Sequence, residues 1–266
     1  MFRIADSHAH LNAKDFDKDR EEVIKRAFNA GVKAILCPTE VSDDKNKSTT
    51  LSLLQNHKHI LAAGGVHPHN ARLYNQNHER IIRDMAVQKK ITAVGEIGLD
   101  FHYNYSPPSK QKEVFGKQLA LAQELKLPVI IHSRLAASHV LDSLKKQNFT
   151  QGGVLHCFTE NIDFAKKMVE QGFYVSFSGI ITYPKAHALR ETSKKIPSNN
   201  LLVETDAPYL TPIPHRKKMK RNEPVFVIET AKILADIKKM PFESFAEKMY
   251  HNFWSCFNLN YPNNNQ

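Results

Sequence analysis

Short apolar runs alternate along the chain with longer segments of helical periodicity. The runs are rich in β-branched residues and span three to seven positions, a length typical of buried strands. They cover residues 2–5, 32–37, 60–66, 91–95, 128–131, 153–155, 173–177 and 201–203. Each of the eight runs is predicted to form one strand.

The segments between the runs place apolar side chains three or four positions apart, as one face of a helix requires. Residues 17–29, for example, carry Val23 and Ala27 on one face. The same pattern recurs over 110–125, 162–171 and 224–237. Gly31 and Gly172 stand where a glycine commonly ends a helix. Helices are therefore predicted between the strands.

Eight alternations of strand and helix indicate an α/β fold with a parallel sheet, and the number eight favours a closed TIM-type (β/α)8 barrel. The alternative is an open, doubly wound sheet, which usually carries a glycine-rich phosphate loop after its first strand. Here the first run is followed by Asp6-Ser7-His8-Ala9-His10, which is no such loop. A single barrel domain over residues 1–257 is expected, with an Asn-rich disordered tail at 258–266.

Composition places the chain among cytoplasmic globular proteins. The chain has 266 residues, of which 41% are hydrophobic, and its longest apolar stretches, such as 127–131, are too short to span a membrane. The first residues lack the layout of a signal peptide. The three cysteines, Cys37, Cys157 and Cys256, have neither zinc-finger nor redox-motif spacing, so reduced thiols are expected.

The chain is strongly basic, with a net charge of +10. A basic protein attracts polyanions such as nucleic acids. The same charge can also serve solubility alone, so charge by itself does not identify a partner.

Histidines and acidic residues follow several of the predicted strands, at the end where barrel enzymes place their catalytic residues. His8 and His10 are two positions apart, so in an extended chain both rings can face one side. Glu96 stands between glycines after the fourth run, where a turn is the alternative explanation. The fifth, sixth and eighth runs are followed by His132, His156 and Asp206.

Any one of these residues could be a core histidine or a helix cap, but their coincidence predicts a shared metal site. Nitrogen and oxygen donors suit Mg²⁺, Mn²⁺ or Zn²⁺. Six donors exceed what one tetrahedral catalytic ion with an open position takes. They are sufficient for two ions that share one carboxylate and activate a water molecule. Ser7 and Ser133 lie near these histidines, but no nucleophile elbow accompanies them.

Six motifs occur in a fixed order, and together they resemble the TatD family of metal-dependent deoxyribonucleases. They are Asp6-Ser7-His8-Ala9-His10-Leu11, Gly65-Val66-His67-Pro68-His69, Gly95-Glu96-Ile97-Gly98-Leu99-Asp100, Ile131-His132-Ser133-Arg134, His156-Cys157-Phe158 and Glu204-Thr205-Asp206-Ala207-Pro208-Tyr209-Leu210. Asn222-Glu223-Pro224 also fits the family, and the resemblance extends from residue 3 to about residue 257.

The resemblance implies a TIM-type barrel that hydrolyses DNA phosphodiester bonds as a 3′–5′ exonuclease, using two divalent ions, with Mg²⁺ expected first. On the family pattern His8, His10 and Asp206 hold one ion and His132 and His156 hold the other, while Glu96 bridges them. Asp206 is also expected to orient or deprotonate the attacking water. We expect a monomer that acts on DNA.

Further residues are candidates for contact with the substrate. His67 and His69 could touch a phosphate, or Pro68 could simply turn their loop. Arg134 could pair with a phosphate oxygen or form a structural ion pair. The loop after the last strand contributes a basic run, which could contact a nucleic-acid backbone or be a solvated surface. Its candidates are Arg216, Lys217, Lys218, Lys220 and Arg221.

That loop departs from the family pattern. It is about two residues longer than in relatives, and Lys217 stands where they usually carry a glycine. Two other functions therefore stay open. One is an amidohydrolase-type enzyme that cleaves a C–N or ester bond of a small molecule or an aminoacyl-tRNA. The other is a barrel that binds nucleic acid without catalysis, against which the complete set of six donors argues.

Overall fold

Eight parallel strands form one sheet in chain order in the computed structural model, which describes residues 2–262. The strands are β1 Ile4–Asp6, β2 Val32–Glu40, β3 Ile60–Gly65, β4 Ala93–Asp100, β5 Val129–Arg134, β6 Gly153–Leu155, β7 Phe173–Phe177 and β8 Leu201–Val203. All seven neighbouring pairs from β1–β2 to β7–β8 are parallel. The predicted single barrel is confirmed.

The first and last strands meet through their carboxyl-terminal extensions. The backbone N–H of Ser7 donates to the carbonyl of Val203 at 3.0 Å, and that of Asp206 donates to the carbonyl of His8 at 2.9 Å. A third bond, from His10 to the carbonyl of Ala207, measures 2.7 Å. These bonds draw the loops after β1 and β8 together at one end of the barrel.

Nine α-helices are present among the described residues. They are α1 Arg20–Asn29, α2 Asp44–Asn56, α3 Gln76–Val87, α4 Pro108–Leu125, α5 Ala137–Lys146, α6 Ile162–Glu170, α7 His187–Lys195, α8 Val227–Lys238 and α9 Phe242–Cys256. Gly31 and Gly172 follow α1 and α6 with φ of +108° and +83°, the left-handed conformation expected of glycine at a helix end. Within residues 2–262 no helix has the length and apolar character needed to cross a membrane.

Alternate residues of the strands fill the inside of the barrel. Ala34, Ile130, Val154 and Leu202 belong to a buried cluster that also contains Phe253 of α9. Helix α9 covers the end of the barrel where the strands begin, since the side chain of Asn252 donates to the carbonyl of Leu201, the first residue of β8. The opposite end, where the strands finish, is left open for a site.

The fourth strand is longer than predicted. It continues past residue 95 to Asp100, because the register shifts between Val94 and Ile97 and pairing with β5 then resumes. Gly98 makes this possible: its φ is +140°, and a Cβ atom there would lie 2.0 Å from the carbonyl oxygen of His132. Glu96 therefore lies within a strand rather than after one.

The described chain continues beyond the predicted domain boundary at residue 257. Leu259 donates its backbone N–H to the carbonyl of Trp254, and the Tyr261 ring stacks on His251 at 4.0 Å. The expected disordered tail covered residues 258–266. Positions 258–262 thus have a described structure, and positions 263–266 lie outside the described residues.

Candidate metal centre

The six predicted metal ligands converge at the open end of the barrel. They lie around a cavity of about 1110 Å³ that contacts all of them except the fully buried His8. The two-residue period of a strand explains the convergence, because Ile130 and Val154 point into the barrel and His132 and His156 follow them by two positions. The apolar interior of the barrel thus continues into a polar site at the end where the strands finish.

Glu96 stands at the centre of this site. Its Oε1 atom lies 2.9 Å from Nδ1 of His132 and 3.1 Å from Nε2 of His156. Its Oε2 atom lies 3.3 Å from Nε2 of His8 and 3.9 Å from Nε2 of His10. The two carboxylate oxygens therefore face two different groups of imidazole nitrogens.

Asp206 completes the group around Oε2. Its Oδ1 atom lies 3.3 Å from Nε2 of His10 and 3.8 Å from Nε2 of His8. The donor atoms of these three residues all lie within 4.8 Å of one another. Asp206 has a positive φ of +55°, and its backbone bond to the His8 carbonyl holds it in that conformation.

His67 lies closer to the centre than its expected role at the substrate suggests. Its Nε2 atom lies 3.2 Å from Oε1 of Glu96, and its ring lies 4.8 Å from that of His132. His67, Glu96 and His132 form a further group whose donor atoms lie within 4.8 Å of one another. His67 is therefore placed to join the metal donors.

Two carboxylates behind the imidazoles were missed by the sequence reasoning. Oδ2 of Asp100 lies 3.1 Å from Nε2 of His132, and Oε1 of Glu204 lies 3.0 Å from Nδ1 of His156. Each carboxylate faces the ring nitrogen that points away from Glu96, an arrangement that fixes the orientation of a metal-binding histidine. Glu204 lies two positions before Asp206 along the chain, and this spacing is the feature of the sequence that could have indicated its role in the site.

Asp100 also fixes the loop that follows β4. Its Oδ1 atom accepts hydrogen bonds of 2.9 Å from the backbone N–H groups of His102 and Tyr103. Oδ2 also lies 3.0 Å from Nε2 of His69. One carboxylate thus connects the loop after β4 to two histidines of the site.

The charges of the site are strongly coupled. Burial would raise the pKa of the Glu96 carboxyl, but the charge of His156 and His67 and the hydrogen bond with His132 hold that pKa well below its ordinary value. Burial likewise opposes the ionised form of Asp206, but its hydrogen bond with His10 and the charges of the neighbouring histidines together outweigh burial and lower the pKa. Both carboxylates are therefore ionised near neutral pH and suited to a cation.

The predicted substrate contacts divide into two groups. His67, His69 and Arg134 line the cavity. None of the described residues 215–221 is among those that line it. In that loop the Arg216 guanidinium lies 4.2 Å from the centre of the Tyr183 ring. The three lysines, Lys217, Lys218 and Lys220, are exposed.

Arg221 is engaged in a structural contact. Its Nη2 atom lies 2.6 Å from Oδ2 of Asp19 and 3.0 Å from Oε1 of Glu223, and its guanidinium covers the Phe16 ring at 4.9 Å. The ion pair with Asp19, the residue directly before α1, ties the basic loop to the start of that helix, and Glu223 is buried. This arrangement therefore favours a structural role for Arg221 over the expected contact with substrate.

Comparison with known proteins places these features in a wider context. The model of a family described as TatD related DNase matches residues 5–258. An uncharacterized metal-dependent hydrolase of Bacillus subtilis, YabD, is 40% identical over 257 residues, which cover 96% of this chain and 99% of that relative. The 3′–5′ ssDNA/RNA exonuclease TatD of Salmonella typhimurium is 35% identical over 227 residues, which cover 84% of this chain and 86% of that enzyme.

A solved structure shows the same architecture over the whole length. The crystal structure of YJJV, a TatD homologue from Escherichia coli, superposes with a TM-score of 0.89 at 30% sequence identity. The match covers 97% of this chain and 99% of that one. The barrel and its order of elements are therefore shared throughout.

Proposed function

The chain belongs to the TatD-related DNase family and is a metal-dependent hydrolase, and on this premise we propose that it hydrolyses phosphodiester bonds of DNA as a 3′–5′ exonuclease. The name of the Salmonella relative, a 3′–5′ exonuclease of single-stranded DNA and RNA, supports the reaction class. The cavity supports it too, since Arg72 and Arg134 line it together with the donor cluster and could bind a phosphate there.

The observation that carries the two-metal part of the proposal is the arrangement around Glu96. A carboxylate whose two oxygens face separate groups of imidazoles is placed to bridge two cations. His8, His10 and Asp206 would hold one ion with Oε2, and His132 and His156 would hold the other with Oε1. The donors are all nitrogen and oxygen, which fits Mg²⁺, Mn²⁺ and Zn²⁺. Mg²⁺ is expected first, and the number of imidazoles makes Mn²⁺ and Zn²⁺ necessary comparisons.

The residues of the chain divide the work of hydrolysis. Two divalent ions, when bound by these residues, would supply an activated water molecule and charge stabilisation at the leaving oxygen. Asp206 faces the cavity in its ionised form and can orient the water and accept its proton. Glu96 fixes the spacing of the two donor groups, while Asp100 and Glu204 hold the rings of His132 and His156. Arg134 and His69 are placed to bind phosphate oxygens of the substrate.

A substrate screen tests the proposed reaction class. The metal-loaded protein is incubated with plasmid, single-stranded DNA, RNA and aminoacyl esters, and the products are separated. Cleavage of nucleic acid without hydrolysis of the aminoacyl esters is expected. Hydrolysis of aminoacyl or other small-molecule esters alone would contradict the proposal and favour an amidohydrolase-type enzyme. Binding of nucleic acid with no hydrolysis of any substrate would instead indicate a barrel that has lost catalysis.

A further inference from the structure

Exposed apolar side chains are concentrated in the loops at the open end of the barrel, and three of them, Tyr103, Tyr105 and Tyr209, line the cavity. Among the described residues, seven large apolar or aromatic side chains are exposed, and six of them lie in the loops that follow β3, β4, β5 and β8. The six are Leu73, Tyr103, Tyr105, Leu135, Tyr209 and Ile213. Apolar groups grouped in this way at a mouth indicate a surface that is covered by a ligand.

Two of these side chains are stacked on each other, and an arginine lies over one of them. The rings of Tyr103 and Tyr105 are stacked, with an angle of 8° between their planes and 5.6 Å between their centres. Tyr103 is 43% exposed and Tyr105 is 60% exposed, so neither ring is buried by the barrel. The guanidinium of Arg134 lies 4.7 Å from the centre of the Tyr103 ring. We call Tyr103, Tyr105 and Arg134 the aromatic shelf.

The loop that carries the shelf is fixed at both ends. At its start, Asp100 accepts hydrogen bonds from the backbone of His102 and Tyr103. At its end, Ser106 donates its hydroxyl to the carbonyl of His69 at 2.8 Å, and the buried Gln111 side chain donates to the carbonyl of Ser106 at 2.9 Å. The shelf is therefore held in place before any ligand arrives.

The shelf adjoins the metal centre. The Tyr105 ring lies 4.9 Å from the ring of His69, and His69 lies 4.4 Å from the ring of His67, which contacts Glu96. A group stacked on the shelf is thus separated from the centre by two histidine rings.

We propose that the aromatic shelf binds an unpaired nucleobase adjacent to the scissile phosphate, an inference that rests on the proposed nuclease function. Every base has a flat π-face that stacks on tyrosine, and the Arg134 guanidinium over the Tyr103 ring offers a base a second flat group to stack on, with a cation–π contact. A paired base is covered by its neighbours, so the end of a duplex must open before it reaches the shelf. Tyr103 and Tyr105 therefore select single strands and contribute to affinity for any base sequence.

The test compares Tyr103→Leu/Tyr105→Leu with the wild-type protein on labelled single-stranded DNA and, separately, on RNA. Stacking exists before and during the reaction, so its loss is expected to raise KM about five- to hundredfold with kcat retained. Binding of a phosphorothioate oligonucleotide, followed by fluorescence anisotropy, is expected to weaken by a similar factor. Val87→Ala serves as the control, because Val87 is the one exposed large apolar side chain among the described residues that lies outside these loops, and KM within about twofold of wild type is expected.

An abasic substrate identifies the partner of the shelf. DNA that lacks the base next to the cleaved bond is expected to have a high KM with the wild-type protein. Replacing both tyrosines should raise KM much less on this abasic DNA than on intact DNA. Equal KM and equal binding of intact DNA by the wild type and the double variant would overturn the proposal. Failure of the wild type to cleave any nucleic acid would instead reject the nuclease function on which the shelf rests.

Discussion

Oδ2 of Asp100 lies 3.1 Å from Nε2 of His132, on the side of the ring that points away from the centre of the site. Burial would raise the pKa of Asp100, yet hydrogen bonds with His132 and His69 lower it strongly, so this carboxylate stays charged. It can therefore hold the His132 ring in the orientation that presents Nδ1 to Glu96.

Asp100→Asn is expected to weaken metal binding and to lower kcat/KM about 10- to 100-fold, since an amide holds the imidazole less firmly. Metal affinity is measured by titration and activity on the same samples. Asp142→Asn, an exposed carboxylate on α5, is the matched control and should behave as wild type. Unchanged metal affinity in Asp100→Asn would show that the orientation of His132 does not depend on this contact.

Gly98→Ala is expected to destabilise the fold by at least about 3 kcal/mol, because the new Cβ atom would meet the His132 carbonyl at a positive φ. Gly172→Ala is the control: its φ is also positive, but a Cβ atom there has no neighbour within 4 Å, so about 1–2 kcal/mol is expected. Denaturant unfolding of both variants gives the comparison. Equal losses would mean that close packing at Gly98 does not constrain β4.

Arg221→Ala is expected to lower the free energy of unfolding by about 1–2 kcal/mol at pH 7, since it removes a bidentate pair with Asp19 and a contact with buried Glu223. The hydrogen bond from Arg221 lowers the pKa of Asp19 below its ordinary value of about 3.9.

The pH dependence of that difference follows from the lowered pKa of Asp19. A carboxyl whose pKa is lowered by folding stabilises the protein fully above its ordinary pKa and loses this contribution as pH falls through the folded value. The gap between wild type and Arg221→Ala should therefore narrow below about pH 4. A gap that is constant from pH 7 to pH 3 would contradict the ion pair as its source.

Lys217, Lys218 and Lys220 provide a test of the basic loop separate from Arg221. If they contact the phosphates of a single strand, changing all three to Ala should weaken DNA binding and reduce the salt slope of log K by up to about 2. Binding is measured at several salt concentrations. An unchanged slope would reduce the loop to a solvated surface, in keeping with its position outside the lining of the cavity.

The barrel and the convergence of six donors could be predicted because both depend on local regularities. Apolar runs of strand length define the order of strands, and the two-residue period carries His132 and His156 to the inward face. The continuation of β4 to Asp100 could not be predicted in this way. It depends on a register shift and on the close approach of Gly98 to a neighbouring strand.

Partners far apart along the chain explain the remaining differences. Glu204 acquires its role from His156, which lies 48 positions earlier, and Arg221 is paired with Asp19, which is 202 positions away. A basic run in a sequence does not reveal such partners, so Arg221 resembled its lysine neighbours. A monomeric state and a cytoplasmic site of action stay predictions.

The central claim is that Glu96 joins two divalent ions in a nuclease site, and cleavage of end-labelled single-stranded DNA tests it most directly. Wild-type protein and Glu96→Gln are stripped with a chelator and then given Mg²⁺, Mn²⁺ or Zn²⁺. The account predicts no cleavage after chelation and metal-restored, stepwise shortening from the 3′ end by the wild type. It predicts that Glu96→Gln loses more activity than the roughly 100-fold expected when a residue that only orients a metal ligand is changed, because a neutral amide bridges poorly. Full activity of Glu96→Gln, or no cleavage by the wild type with any metal, would contradict it.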